Sequence, residues 1–312
     1  MRNNSDQLAI QRFMQAAALL PPRQRHALAA FSEIDKARAE EFRLRMGQPL
    51  TVLLPRGEVP VPGCPEPIQG EDLSAVFEIA TQASAHTVLD RVCNGFITVQ
   101  GGHRIGLCGA AVVQEGSITN LRQLSSLAIR IAREISGAAE QVLPALTVGG
   151  GLRSTLILSP PGGGKTTLLR DLIRRISAGI GTMPLRVGVA DERGELCALY
   201  HGVPQMEVGP LTDVMDGCPK EEGLMMLLRG MNPQVLAADE ITAPGDIAAL
   251  ETAANCGVIL LATAHARSLE DLGTRPLYQR LLSLKLFQRA VLIEREQGIR
   301  QFHIFSLEKP LC

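Results

Sequence analysis

Apolar residues recur at helical spacing over Leu8–Leu20, and the run stops at Pro21-Pro22 because proline cannot continue a helix. A second helix is expected over Arg23–Ala30, and Ser32 followed by Asp35 has the form of a capping box opening a third short one. The period then changes. Glu41-Phe-Arg-Leu-Arg45 alternates polar and apolar, as a half-buried strand does; Gly47 and Pro49 break it, and Leu50–Leu54 reads as another strand. Glu71–Ala83 returns to an amphipathic helix. Gly95–Gln100 and Arg104–Val113 are strand-like runs parted by Gly101-Gly102, a hairpin signal. Ser125–Arg133 alternates again, with Leu127, Ile129 and Ile131 on one face and Arg130 and Arg133 on opposite faces.

Gly137–Gly151 is a candidate linker, with a short helix and a flexible Gly149-Gly150-Gly151 end. Beyond it, short apolar strands alternate with helices. The strands are expected at Thr155–Leu158, Leu185–Ala190, Val235–Ala238 and Gly257–Thr263, and the helices at Thr166–Ser177, Glu221–Gly230 and Asp246–Asn255. That alternation implies a mostly parallel sheet with helices on both faces. The expected division is a domain over 1–136, a linker over 137–151 and a second domain over 152–312. A chain of 312 residues favours two domains on length alone.

Composition narrows the function classes. A net charge of −1 sets no bias toward nucleic acid or anionic membrane, and aromatics at 3% supply no stacking platform for single strands, so no nucleic-acid partner is expected. The apolar stretch near Val258–Ala264 is too short to cross a bilayer, so any membrane association should be peripheral or through a partner. The N-terminus has no apolar signal core, and the seven cysteines show neither CxxC nor zinc-like spacing. Reduced, buried thiols in a cytoplasmic protein are expected.

The chemistry concentrates at Ser159-Pro160-Pro161-Gly162-Gly163-Gly164-Lys165-Thr166-Thr167, between a strand and a helix start. Glycines let backbone N–H groups converge on phosphate oxygens, and the helix adds its positive N-terminal dipole. Lys165 can reach β- and γ-phosphates, and the Thr166 hydroxyl can ligate Mg²⁺. The usual pattern opens with glycine where Ser159 stands, at its least chemically involved position. Asp239, at the end of the strand Val235–Ala238, is the expected metal-side carboxylate, and Glu240 the group that orients or deprotonates the attacking water. A third acidic group, Asp191-Glu192-Arg193-Gly194-Glu195, follows another apolar strand, and strand ends of an open parallel sheet point to one crevice. Among its acids, Glu192 is a second candidate base. His265 could report on the γ-phosphate. The arginines of the first domain, Arg104 and Arg130 ahead of Arg133, could complete the site, because a guanidinium fork suits phosphate oxygens.

Together the P-loop, the acidic box Asp191–Glu195, the segment Leu228-Arg229 to Asn232-Pro233 and Thr263-Ala-His265 resemble the secretion ATPases, the hexameric motors of type II and type IV secretion and pili. Those motors usually carry Gly-Glu where this chain has Asp239-Glu240. More specifically, Glu41–Arg45, Gly95–Gly106, Ser125–Arg133, Ser159–Asp171, Asp191-Glu-Arg, Asp216–Lys220 and Arg229–Gln234 resemble the stage III sporulation protein AA family. That family includes Ser159, and the similarity runs from about Glu41 to near the C-terminus. The resemblance implies an α/β fold: a RecA-like P-loop ATPase domain with a mostly parallel sheet, preceded by a smaller α+β domain. It also implies ATP and Mg²⁺ as ligands, a homohexamer, and docking on membrane-embedded subunits of a channel between mother cell and forespore. N-terminal-domain arginines would lie against the phosphates. A RecA-like or helicase-like ATPase on nucleic acid, a small-molecule kinase and a non-hydrolysing scaffold are the competing readings.

Overall fold

The computed structural model describes residues 4–81, 95–296 and 299–308. The end of the helix expected over Glu71–Ala83 lies outside them, as do Cys93 and Cys312. The chain forms two compact units, Met1–Glu134 with Tyr200–Gln205, and Ile135–Leu199 with Met206–Cys312.

The first unit opens with helices Asn4–Ala17, Pro22–Ala29 and Glu33–Arg38. The first starts a turn earlier than the apolar period suggests and ends before Pro21. Ser32 caps the third: its hydroxyl accepts from the Asp35 amide at 3.1 Å and donates to the Asp35 carboxylate at 3.0 Å. Strands β1 (Glu41–Arg45), β2 (Thr51–Leu54), β3 (Gly57–Pro60), β4 (Phe96–Thr98), β5 (Arg104–Gln114) and β6 (Ser117–Arg130) form one antiparallel sheet in the order β3-β2-β1-β6-β5-β4, with the helix Gly70–Thr81 beside them. Phe42 and Leu44 of β1 turn inward with Leu127 and Ile129 of β6, and Phe13 meets Phe42 edge-on at 5.0 Å.

Two features here differ from the alternation pattern. β6 starts at Ser117 rather than Ser125, because its first half, Ser117-Ile-Thr-Asn-Leu-Arg-Gln-Leu124, pairs with β5 at a largely exposed edge where no apolar alternation is needed. The strand also ends at Arg130, so Arg133 does not sit on its opposite face. Beyond Arg130, the Ile131 amide donates to Glu40 O at 2.9 Å and the Ala132 amide to His103 Nδ1 at 3.1 Å, while Arg133 donates to Ala39 O at 2.7 Å. Burial pushes His103 down to about 4, which leaves a neutral imidazole able to accept that bond. Arg12 ties the excursion Tyr200–Gln205 to this unit, donating to Gly101 O at 2.6 Å and Gln205 O at 3.2 Å.

The second unit starts with residues 137–151, read above as a linker. They are packed rather than free: Ala139, Val142, Leu143 and Leu146 are all buried in its core, and the Ala139 amide donates to Asp171 at 2.8 Å. The helix Leu143–Leu146 leads into a small hairpin of β7 (Thr147–Val148) and β8 (Gly151–Leu152), turned by Gly149 and Gly150 at positive φ. Then come β9 (Thr155–Ser159), helix Lys165–Ala178, β10 (Val187–Asp191), a ribbon of β11 (Leu199–Tyr200) and β12 (Val203–Pro204), β13 (Thr212–Asp216) and helix Lys220–Gly230. The unit closes with β14 (Val235–Ala238), helix Pro244–Asn255, β15 (Ile259–His265), helices Leu269–Thr274 and Pro276–Ser283, β16 (Arg289–Glu296) and β17 (Ile299–Ser306).

Its sheet runs β13-β10-β14-β15-β9-β16-β17, parallel throughout except for the antiparallel pair β16/β17. β9, β10 and β14 are buried along their whole length, as strands covered on both faces must be. Alternate residues of one strand feed different cores. Leu156, Leu158, Leu236 and Ala238 face the helices Lys220–Gly230 and Pro244–Asn255, and Ile157, Val235 and Ala237 face the helix Lys165–Ala178. Of the five cysteines among the described residues, Cys64 and Cys197 are buried, whereas Cys108 and Cys256 are exposed, which corrects the expectation of uniformly buried thiols.

Candidate active site

Parallel register places the chemistry in a row. β10, β14, β15 and β9 are successive neighbours, so their carboxyl ends present Asp191, Asp239-Glu240, His265 and Ser159 along one edge, with His265 directly opposite Ser159. The glycine-rich loop leaves β9 here and turns into the helix Lys165–Ala178, whose first residue is Lys165. Gly163 has no room for a side chain: a Cβ there would stand 2.3 Å from Ser159 Oγ. The serine therefore occupies space beside the loop, and its hydroxyl donates to Pro160 O at 2.8 Å.

Lys165 is 4% exposed. Its ammonium donates to Ser159 O at 3.2 Å and Pro160 O at 3.4 Å, and meets His265 Nδ1 at 2.9 Å. An ammonium only donates, so this geometry assigns Nδ1 as acceptor and puts the imidazole proton on Nε2. That nitrogen then donates to Glu240 Oε1 at 2.7 Å. The chain Lys165–His265–Glu240 thus connects the loop to the candidate base through one ring. Burial pulls the Lys165 ammonium down, and Glu240 and Asp239 oppose it.

Thr166 and Asp239 meet across the cleft. The Thr166 hydroxyl donates to Asp239 Oδ2 at 2.6 Å and the Thr263 hydroxyl to Asp239 Oδ1 at 2.5 Å. Burial pushes the Asp239 carboxyl up against those two bonds. Thr263 Oγ1 also accepts from the Glu240 amide at 2.8 Å, while Lys220 Nζ donates to the Glu240 carbonyl at 2.8 Å. Glu240 has φ of 52°, a left-handed conformation that a glutamate adopts at a cost, and these two bonds hold it there. Its second carboxylate oxygen lies 3.2 Å from Arg193 Nη1.

The other acids divide differently. Asp191 accepts from the amides of Glu195, Leu196 and Cys197 at 2.7–3.1 Å and so closes its own loop; burial still pushes its carboxyl up. Glu192 is 3.0 Å from Lys220 Nζ. Arg104 and Arg130 belong to the first unit, as directly opposed residues of β5 and β6, with Arg104 stacked 3.6 Å over the Phe96 ring and Glu41 opposite Arg130 on its other side.

Sequence reasoning overlooked Thr263, Arg193 and Lys220 as site residues. Thr263 and Arg193 stand inside Thr263-Ala-His265 and Asp191-Glu-Arg, strings that gave them no role of their own, and Lys220 left a local signal. A lysine on the first turn of a helix opposes the helix dipole, and here it is buried against Glu192 and Asp246, with 3.7 Å to the latter.

A sequence profile described as "Sporulation stage III, protein AA" matches residues 11–305. This chain belongs to the stage III sporulation protein AA family. Stage III sporulation protein AA of Bacillus subtilis (strain 168) is 39% identical over 289 residues, covering 90% of this chain and 91% of that protein. Among solved structures, the Legionella pneumophila ATPase DotB superposes with a TM-score of 0.58 at 13% identity, over 87% of this chain and 78% of that one. The pilus retraction motor PilT with bound ADP gives 0.58 at 14% identity, over 88% and 80%. The family member described here therefore has the α/β fold of secretion ATPases. Among the described residues no helix is long and apolar enough to cross a membrane.

Proposed function

We propose that this chain is a Mg²⁺-dependent ATPase of the cytoplasm, a motor that drives assembly of, or transport through, a secretion-like channel between mother cell and forespore. The observation that carries the catalytic part is the convergence of Lys165, the Thr166–Asp239 pair and the His265–Glu240 pair at one end of the parallel sheet. A hydroxyl and one carboxylate are hard oxygen donors, a set that suits Mg²⁺, which keeps most of its shell for water and substrate phosphate. Thr166 and Asp239 would hold the ion, which when bound neutralises charge on the β- and γ-phosphates. Lys165 would turn from His265 to phosphate oxygen, Gly162–Thr167 would donate backbone N–H groups, and Glu240 would take the proton of the attacking water while His265 orients its carboxylate. The test is ATP turnover measured with and without single-stranded DNA, alongside mass by light scattering. Turnover that depends on DNA would favour the helicase-like reading instead.

The role in a channel rests on family membership and on the fold shared with secretion ATPases. ATP is accordingly expected to promote a ring, most simply a homohexamer docked on membrane-embedded channel subunits. Sedimentation with a non-hydrolysable ATP analogue at micromolar protein should show it, and monomer alone would count against it.

Arg104 and Arg130 are proposed to complete the phosphate site. They stand side by side across β5 and β6, two forked donors of the kind that suits phosphate oxygens. Alanine at Arg104 or Arg130 should cut turnover steeply, by about 10²-fold or more in at least one case, with nucleotide affinity and folding changed much less. Wild-type turnover in both variants would remove the arginines from the site.

A further inference from the structure

The strand order assigns each side of the glycine-rich loop to a different half of a bound nucleotide. β9 lies between β15 and β16. On its β15 side stand Asp239, Glu240 and His265, so the metal and the terminal phosphate belong there. On the other side, β16 is parallel to β9, so it ends at the same edge of the sheet as the loop, and the chain returns from there as β17.

Arg300 lies at the start of that return. Its guanidinium rests on Gly164, where a Cβ would stand 2.9 Å from Nε and 3.1 Å from Cζ. Gly164 caps the helix Lys165–Ala178 at φ of 105°, so the glycine serves both a left-handed turn and this close approach. Among the described residues, no hydrogen bond or ion pair engages the Arg300 guanidinium, while nearby acids are committed elsewhere: Glu296 accepts from Gln301 at 3.0 Å and Glu294 pairs with His303 at 3.0 Å. Its direct cross-strand partner is Arg295, which has an interaction of its own. An exposed guanidinium with donors to spare, packed on Gly164 at the mouth of a helix that itself favours anions, has the chemistry of a phosphate ligand.

We propose that Arg300 is a nucleotide-binding residue that holds the α-phosphate and nucleoside half of ATP or ADP, at the end of the loop opposite the carboxylates. This rests on the P-loop reading above. It assigns Arg300 a role in holding ground-state nucleotide rather than in stabilising the transferring phosphoryl group. The consequence is a split between affinity and turnover.

The experiment is calorimetric titration of the full chain with ADP–Mg²⁺, together with kcat and KM for ATP, in wild type, R300A, R300K and K165A. R300A should weaken ADP roughly ten- to hundredfold, the loss expected for a charge-assisted hydrogen bond. R300K should lose less, because it keeps the charge but not the fork. At saturating ATP, kcat of R300A should stay within about twofold of wild type. If K165A loses ADP binding while R300A binds as wild type does, the assignment of Arg300 is overturned and the P-loop reading survives. If R300A leaves affinity intact and lowers kcat, Arg300 acts on the transition state and the proposal is wrong. If K165A binds ADP like wild type, the P-loop reading fails, and this proposal with it.

Discussion

Lys165→Ala is expected to abolish hydrolysis and to weaken ATP binding, with turnover down by at least about 10²–10³-fold. The side chain is almost wholly buried, and its ammonium sits within hydrogen-bond reach of the loop carbonyls Ser159 O and Pro160 O and of His265. Burial already disfavours its charge, so an anionic ligand would gain from meeting it in a poorly solvated place. Alanine removes the cation and leaves His265 Nδ1 without its donor, so both phosphate binding and the link to Glu240 are lost. Nucleotide titration and steady-state phosphate release are the measurements. Undiminished turnover would sink the assignment of Gly162–Thr167 as a phosphate site.

Glu240→Gln is expected to keep ATP binding and lose turnover by about 10²–10⁴-fold, the usual worth of a general base. The amide is nearly isosteric. Its oxygen can still accept from His265 Nε2, and the backbone bonds to Thr263 and Lys220 do not involve the side chain. Geometry therefore survives, and the proton acceptor is what disappears. Single-turnover kinetics with a binding control separate the two. A change of less than threefold would place the base elsewhere, with Glu192 next in line; that carboxylate is held by Lys220, so Lys220→Ala would then be informative.

Much of the second unit was legible because its strands are short apolar runs buried on both faces and its helices begin and end on glycine, proline and acidic residues. The loop Ser159–Thr167 was readable for another reason: a glycine-rich turn from a strand into a helix is built from consecutive residues, so its pattern is written locally. The C-terminal hairpin β16/β17 drew no expectation from Arg289–Ser306. Only part of it is buried, and β17 carries no clean alternation. The linker reading failed to anticipate Ala139, Val142, Leu143 and Leu146 in the core, because glycines at both ends of a segment report where the chain can bend and not what its middle packs against.

Local pattern carried the glycine-rich loop between a strand and a helix, the two carboxylates after a buried strand, and a smaller mixed unit ahead of a parallel one. Each of these depends on neighbours within a few positions. What joins those pieces comes from the fold. The strand order β10-β14-β15-β9-β16 put Thr263 between Asp239 and the Glu240 amide, set His265 between Lys165 and Glu240, spent Asp191 on its own loop, and laid Arg300 against Gly164. What these side chains bond to comes from register between strands that lie far apart in the chain.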